Sequence, residues 1–182
     1  MDFLNEFNRS NVLVTGGTGL IGSEIVHILC DAGAKVKIVS LDDLIVDQRA
    51  EHVKGDLTDF SLCREITQGM DYIFHIAGIK GSIDVTKSKP VNFFVPLLML
   101  NTNVLEAARR NGVKKLVYTS SIGAYSSAEI FKEDYNLEGP PMDMYPGWAK
   151  RMAELQVLTY RQQFGLKNFA IVSPCNVYGP GD

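Results

Sequence analysis

The sequence contains few cysteines and no block of basic residues. Its three cysteines, Cys30, Cys63 and Cys175, lie far apart without the spacing of metal ligands. They predict reduced thiols of a cytoplasmic protein and no metal site. The formal net charge is only −3. Because binding to nucleic acid needs concentrated positive charge, the composition argues against that class of partner.

Long hydrophobic runs are also missing. The longest, Phe93–Leu100, contains Pro96 and is too short to cross a bilayer. The first residues include acids and no apolar signal-peptide segment, so we expect a cytoplasmic protein without a membrane partner. With 182 residues, 46% of them hydrophobic, the chain is long enough for one domain, residues 1–182, with a substantial core.

Short β-type runs alternate with helical patterns along the chain. The predicted strands are Val12–Thr15, Val36–Ser40, Glu51–Lys54, Tyr72–Ile76, Lys115–Thr119 and Asn168–Val172. The predicted helices are Gly22–Ala32, a helix that Thr58 or Asp59 caps and that ends at Ile66, Val91–Asn111, and Gly147–Phe164. This alternation predicts an α/β fold, a doubly wound parallel sheet with helices on both faces.

A glycine-rich turn follows the first predicted strand. The segment Val12–Gly22 reads VLVTGGTGLIG, with Gly16, Gly19 and Gly22 three residues apart. In such a turn the first glycine allows the bend, the second admits a pyrophosphate, and the third lets helix and strand pack closely. The helix that follows presents unpaired N–H groups and its positive dipole end. The segment therefore predicts a dinucleotide-binding site.

Small or polar residues follow each predicted strand, where a parallel sheet binds its ligands. Ser40 ends the second strand, and Asp42 and Asp43 come just after it. A carboxylate there accepts hydrogen bonds from the ribose 2′-hydroxyl of NAD and repels the 2′-phosphate of NADP. Ser40 would tolerate a phosphate, so the sequence favours NAD with NADP as the alternative.

Several motifs resemble those of the extended short-chain dehydrogenase/reductase family, which includes nucleotide-sugar epimerases, dehydratases and reductases. They are TGGTGLIG at Thr15–Gly22, GDL at Gly55–Leu57, HIAG at His75–Gly78, LEAAR at Leu105–Arg109, VYTSS at Val117–Ser121, WAKRMAE at Trp148–Glu154 and PCNVYGP at Pro174–Pro180. GPP at Gly139–Pro141, AKRM at Ala149–Met152 and the NVYGP tail most resemble the GDP-fucose synthase branch. The resemblance implies a Rossmann-type NAD(P)-binding domain and a nucleotide-sugar substrate. Family members continue into a substrate domain, so we expect this chain to be the N-terminal part of a longer enzyme.

The resemblance also implies which residues bind cofactor and substrate. The implied cofactor-binding residues are Gly16, Gly19, Leu20, Ile21, Gly22, Ser40, Asp42, Asp56, Leu57, Ala77, Gly78, Lys150 and Pro174. Ser121 and Asn176 are the implied substrate contacts. Asp56 has an alternative role as a helix cap, and Asn176 as a turn-forming residue. His75 ends a buried strand, where we expect a packed imidazole without a catalytic role.

The reaction centre departs from the family pattern. Members use a Tyr-x-x-x-Lys pair and a hydroxyl residue, and here Ser121 and Lys150 fit two of the three positions. Pro146 lies four residues before Lys150, and Tyr145 lies five before it, a rotation of about 140° from the lysine's face of a helix. If Pro146 starts the helix, Tyr145 becomes its N-cap and its ring could reach Lys150. Tyr145 is therefore the predicted acid/base. The further candidates are Tyr125 and Tyr135.

Two more departures limit the predicted activity. The GDP-fucose synthase branch uses a cysteine and a histidine for ring epimerisation, where this chain has Gly123 and Gly181. Glycine transfers no proton, so we predict hydride transfer at a sugar carbon, including 4-epimerisation, but no double epimerisation. The alternatives are a catalytically disabled NAD(P)-binding protein and a reductase of a carbonyl compound that is not a nucleotide.

The predicted helix Val91–Asn111 and the predicted helix Gly147–Phe164, which carries Lys150, resemble the pair through which family members dimerise. Phe93, Leu97, Leu100 and Val104 repeat at helical spacing in the first of them. We expect a homodimer, with ordinary core packing as the alternative role for these four side chains.

Overall fold

The computed structural model describes residues 2–79, 81–132 and 139–180, and its centre is a six-stranded parallel sheet. The strands are β1 Asn11–Thr15, β2 Lys35–Ser40, β3 Glu51–Lys54, β4 Tyr72–His75, β5 Lys115–Thr119 and β6 Phe169–Val172. Their order across the sheet is β3-β2-β1-β4-β5-β6, and every neighbouring pair is parallel. The order reverses beside β1, so the carboxyl ends of β1 and β4 flank the crevice in which such sheets bind ligands.

Within the described residues, five α-helices accompany the strands. They are α1 Leu20–Asp31, α2 Phe60–Ile66, α3 Ile83–Ser88, α4 Val91–Arg110 and α5 Met144–Phe164, with short 3₁₀ helices at Asp2–Phe7 and Ile122–Ala124. The carboxylate of Asp59 caps α2 by accepting from the backbone N–H of Ser61 at 2.8 Å. Gly165 ends α5 in the left-handed region at φ 67°.

The helices cover both faces of the sheet. On one face Leu13, Val39, Ile73 and Leu116 pack against α2, α4 and α5. On the other face Val12, Val14, Val36 and Ile38 pack against Val26 and Leu29 of α1. Successive strand residues point to opposite faces, which explains why three consecutive residues of β1, Val12, Leu13 and Val14, are apolar and buried. The predicted fold class is confirmed.

The predicted elements agree with the structure except at two places. All six strands are present, and their bounds differ from the predicted ones by at most one residue at each end. Helix α3 was not predicted, because its segment is short and mostly polar.

Helix α5 begins at Met144 rather than Gly147, with Asp143 as its N-cap. The backbone N–H of Gly147 donates to the carbonyl of Asp143 at 2.7 Å, which closes the first helical turn around Pro146. A proline fits there because first-turn N–H groups have no partner within the helix. The prediction that Tyr145 is the N-cap is therefore wrong.

Helix α4 lies in the middle of the larger core. Leu97, Leu100 and Val104 belong to the core cluster that packs on the sheet, and Phe93 is buried as well, so these four side chains are interior residues and not a dimer surface. By length and composition alone α4 is also apolar enough to cross a membrane. The core helix of a soluble protein passes the same test, so this is a weak indication.

Candidate functional site

A cavity of about 760 Å³ runs along the carboxyl ends of the strands. It begins beside β2 and β3 and continues past the glycine turn to the ends of β5 and β6. The predicted residues that line it are Gly16, Gly19, Leu20, Ile21, Gly22, Ser40, Asp42, Asp56, Leu57, Ala77, Gly78, Ser121, Lys150 and Pro174. All the implied cofactor contacts therefore border one continuous space.

Two glycines of the turn are required by the protein's own geometry. Gly16 has a φ of +69°, and a Cβ there would lie 2.8 Å from the Cα of Ala77. A Cβ on Gly22 would collide with the backbone carbonyl of Gly16. The first glycine thus allows the bend toward β4, and the other allows α1 to pack closely on the turn.

Gly19 differs because neither conformation nor packing demands a glycine. Its φ is −80°, and the nearest atom to an added Cβ is 3.4 Å away. A side chain there would enter the cavity at the start of α1, where no side chain caps the helix. The uncapped N–H groups and the positive helix end fit the pyrophosphate of a dinucleotide.

The cavity carries a fixed carboxylate beyond β2. Asp42 accepts a hydrogen bond from the hydroxyl of Thr18 at 2.9 Å and from the N–H of Leu44 at 3.0 Å. The neighbouring acid, Asp43, instead forms an ion pair with Lys54. Of these two acids, Asp42 is therefore the one that lines the cavity.

Asp56 lines the same end of the cavity, after β3. Its carboxylate accepts from the N–H of Thr58 at 2.9 Å. Because Asp59 caps α2, the helix-capping role considered for Asp56 is wrong. Its side chain is exposed beside the buried Leu57.

Ser121 and Lys150 both line the other end of the cavity. The hydroxyl oxygen of Ser121 accepts from the N–H of Gly123 at 3.1 Å, which leaves its own O–H available as a donor. The ammonium of Lys150 donates to the carbonyl of Thr119 at 3.0 Å and to that of Ser120 at 3.4 Å. Burial lowers the pKa of Lys150 to about 8.

The structure does not bring Tyr145 to Lys150. Tyr145 is absent from the cavity lining, and its ring packs edge-on against Phe94 of α4 with centroids 6.4 Å apart. One turn before Lys150, the cavity wall is formed by Pro146. Because Tyr145 lies inside a regular helix, the rotation of about 140° from Lys150 is retained.

Of the two other tyrosine candidates, only Tyr125 is among the described residues, and it does not line the cavity. Tyr125 packs against Phe131 with ring centroids 6.2 Å apart. Tyr135 lies outside the described residues.

A buried carboxyl group lies behind Lys150. Ser120 donates its hydroxyl hydrogen to Glu154, and burial raises the pKa of Glu154. Glu154 follows Lys150 by four residues on α5, so helical spacing could have identified it. Pro146 and Cys175 also line the cavity without having been assigned to it.

His75 is a packed residue, as expected. It is fully buried, with Nδ1 2.7 Å from the hydroxyl of Thr15 and Nε2 3.0 Å from the side-chain oxygen of Asn101. Burial lowers the pKa of His75 to about 3, so the ring is neutral. It connects β1, β4 and α4 behind the glycine turn.

Three positions remain: Gly123 and Gly181, where the GDP-fucose synthase branch has a cysteine and a histidine, and Asn176, an implied substrate contact. A Cβ on Gly123 would meet the carboxylate of Asp143, so any side chain there requires the Asp143 side chain to move. Asn176 is exposed and is not one of the residues that line the cavity. Gly181 lies outside the described residues.

The fold and this cavity together define a dinucleotide-binding Rossmann domain: a parallel sheet in the order 3-2-1-4-5-6, with a glycine turn and a helix N-terminus at its switch point. Residues 12–182 match the model of the NAD dependent epimerase/dehydratase family. The chain belongs to this family.

Individual relatives have different named activities. A 3 beta-hydroxysteroid dehydrogenase/Delta 5-->4-isomerase of Mycobacterium tuberculosis is 34% identical over 181 residues, covering 94% of this chain and 48% of that protein. A probable GDP-L-fucose synthase of Drosophila melanogaster is 26% identical over 180 residues, covering 94% and 52%. The structure of a UDP-glucose 4-epimerase from Thermotoga maritima with UDP-glucose has a TM-score of 0.78 at 27% identity, covering 93% and 57%. The chain thus spans about half the length of the curated relatives it matches.

Proposed function

We propose that residues 1–182 form the cofactor domain of a longer cytoplasmic enzyme that transfers hydride at a carbon of a nucleotide sugar. The observation that carries the proposal is the continuous cavity from Asp42 past the glycine turn to Ser121 and Lys150. Its two ends match the two ends of a dinucleotide, and its centre matches the pyrophosphate.

The preferred cofactor in this proposal is NAD. Asp42 is held by Thr18 and Leu44 with its charge toward the cavity end, where it would accept from a ribose 2′-hydroxyl and repel a 2′-phosphate. NAD supplies the hydride acceptor and NADH the donor. The polar groups at the far end, Ser121 and Lys150, bind and orient the reacting hydroxyl or carbonyl.

A nucleotide sugar is the proposed substrate class because of the relatives. The Thermotoga maritima epimerase was solved with UDP-glucose, and its fold superposes on most of this chain. In this chain the Ser121 hydroxyl is free to donate to a sugar oxygen. Double epimerisation is not proposed, since Gly123 has no side chain that could transfer a proton.

Calorimetric titration with NAD⁺, NADH, NADP⁺ and NADPH tests cofactor binding. We expect NAD⁺ and NADH to bind the wild type and not Gly19→Asp, whose carboxylate would occupy and repel the pyrophosphate position. Gly179→Asp is the matched control, because nothing lies within 4 Å of its added Cβ and it is outside the described lining. Lack of binding to all four dinucleotides, or unchanged binding by Gly19→Asp, would overturn the proposal.

A second candidate is a reductase or dehydrogenase for an apolar carbonyl compound. The steroid dehydrogenase relative is 34% identical, and the α4 residues Pro96, Leu97, Met99 and Leu100 give the cavity an apolar wall. Two assays of the full-length enzyme with NAD⁺ distinguish the two candidates: chromatography of UDP-glucose for its conversion to another nucleotide sugar, and NADH absorbance with UDP-glucose and with a 3β-hydroxysteroid. Cofactor binding without turnover of any nucleotide sugar or carbonyl compound would instead favour a disabled NAD-binding protein.

A further inference from the structure

Helix α5 presents an unusual pair to the reaction end of the cavity. Pro146 and Lys150 are one turn apart on one face, and both line the cavity. Proline carries no transferable proton. The adjacent phenol of Tyr145 is turned toward Phe94, away from this face.

Few ionisable groups remain at this end. Among the described residues that line the cavity, the ionisable side chains are Asp42, Asp56, Lys150 and Cys175. The two carboxylates follow β2 and β3, on the opposite side of the glycine turn from β5. Of these four residues, Lys150 and the exposed Cys175 are on the same side of the sheet order as Ser121. Ser121 follows β5, Lys150 contacts the end of β5, and Cys175 follows the neighbouring strand β6.

The hydrogen bonds of Lys150 suit a proton donor. An ammonium group has three N–H bonds, and two of them point to the carbonyls of Thr119 and Ser120. The third is not used by any hydrogen bond described for Lys150, and Lys150 lines the cavity. The two carbonyl contacts hold the nitrogen at the end of β5, and Ser121, the residue after Ser120, lines the same cavity.

The charged and titratable neighbours of Lys150 come from three elements. Glu154 lies one turn later on α5, and its negative charge favours the protonated lysine. The ring of Tyr118 on β5 has its centroid 5.8 Å from Nζ, and the neutral His75 on β4 lies behind that ring. Burial opposes Glu154 and places the pKa of Lys150 close to neutrality, where a general acid or base is most effective.

We propose that Lys150 itself exchanges the proton with the substrate oxygen, in the place where a phenol would be expected, and that Ser121 orients that oxygen. The inference rests on the proposed function. In the reducing direction, with reduced nicotinamide supplying a hydride to the carbonyl carbon, the oxygen would take a proton from the Lys150 ammonium. The C=O π bond, the C–H bond that supplies the hydride and one N–H bond would break, and a C–H bond to the carbonyl carbon and an O–H bond would form. The neutral amine then takes a proton from water, and oxidation runs the same steps in reverse.

The first test measures Lys150 without any substrate. Protein labelled with ¹³C-lysine is titrated by NMR, and Lys150→Arg identifies the Lys150 signal by its loss. We expect this signal to titrate near pH 8, well below the usual lysine value of about 10.4. Titration together with the exposed lysines would overturn the proposal, because an amine of ordinary basicity holds its proton too tightly.

The second test uses turnover of UDP-glucose by the full-length enzyme. Lys150→Arg keeps the charge but cannot release a proton, so we expect kcat to fall roughly 10²-fold or more, with NAD binding retained and the pH dependence near pH 8 lost. Lys167→Met, which removes an exposed lysine outside the described lining, is the control.

Tyr145→Phe separates the proposal from the phenol mechanism. We expect this variant to keep kcat within about threefold, since its ring is directed at Phe94. A loss as large as that of Lys150→Arg would show that the phenol reaches the substrate, and a comparable loss in Cys175→Ser alone would identify the thiol. Either result overturns the proposal. If cofactor binds but the wild type turns over no probe, the proposed function fails and this inference with it.

Discussion

At the scale of single residues, the cofactor end of the cavity depends on which of two adjacent acids faces it. Asp42 lines the cavity and is held by Thr18, whereas Asp43 is paired with Lys54. Two neighbouring carboxylates with nearly the same sequence context therefore have different surroundings. The difference makes them a matched pair for mutagenesis.

Asp42→Asn should change the cofactor preference. The amide keeps the shape but loses the charge, so a charge-assisted hydrogen bond to the ribose and the repulsion of a 2′-phosphate both disappear. We expect the Kd for NAD⁺ to rise about tenfold and the Kd for NADP⁺ to fall, as measured by calorimetry. Asp43→Asn should leave both unchanged. An unaltered ratio of the two constants in Asp42→Asn would contradict the assignment.

His75 should make the fold sensitive to acid. Burial lowers the pKa of His75 from 6.5 to about 3. Between these pH values the unfolded chain binds a proton that the folded chain excludes, so this contribution to stability is present above pH 6.5 and is lost as the pH falls. The slope is at most about 1.4 kcal/mol per pH unit.

Urea unfolding between pH 4 and pH 7 measures this slope. We expect the free energy of unfolding of His75→Asn to depend less steeply on pH than that of the wild type. His27→Asn, a change at an exposed ring on α1, is the control. Equal slopes for His75→Asn and the wild type would mean that the buried ring does not titrate as proposed.

At the scale of elements, the junction between β5 and α5 determines the reaction end. The 3₁₀ helix Ile122–Ala124 packs directly on the start of α5, and the N–H of Asp143 donates to the carbonyl of Gly123 at 3.0 Å. Both Gly123 and Gly147 face backbone or side-chain atoms too close for a Cβ. This close approach positions the turn that carries Pro146 and, one turn later, Lys150.

Gly147→Ala should destabilise the fold. The added methyl would collide with the backbone carbonyl of Gly123 and push α5 away, at a cost of about 1–3 kcal/mol in the free energy of unfolding. Gly179→Ala, with no atom within 4 Å of the new methyl, should change it by no more than about 0.5 kcal/mol. Urea unfolding at pH 7 compares the two. Equal effects would show that the junction is looser than the structure indicates.

At the scale of the whole molecule, the predicted dimer needs a surface other than the four buried α4 residues. The outer side of α4 exposes Val91 by 67% and Val95 by 43%, and α5 exposes Leu158 by 41%. These apolar side chains on two adjacent helices are the surface through which we propose that the protein forms a homodimer.

Val95→Glu should therefore shift the protein to monomer. Light scattering at micromolar concentration should give the mass of a dimer for the wild type and of a monomer for this variant, because a charge buried in an apolar interface lacks a partner. Ile130→Glu, a change at a 75% exposed loop position, is the control. A monomeric wild type would exclude the homodimer.

Local patterns explain why so much of this protein was predictable. The strands are read from short apolar runs, and the glycine turn from a spacing of three residues, both within a few positions of the chain. Parallel strands bring their carboxyl ends to one edge, so the predicted cofactor residues had to converge once the fold was right. The Ser120–Glu154 contact was missed because it joins residues 34 positions apart.

The sequence by itself determined the sheet, the family and the location of the cofactor cavity, because these follow from periodicity, glycine spacing and motif order. Only the tertiary structure decided the direction of Tyr145 and the surroundings of Lys150. A proline can occupy either the first position or a later position of a helix's first turn, and the packing of Gly123 and Gly147 against their neighbours selects between them. A shift of a few residues in the start of α5 would change which side chains of its first turns face the cavity. This packing therefore places Pro146 in the cavity wall and leaves Lys150 as the amine that lines the cavity.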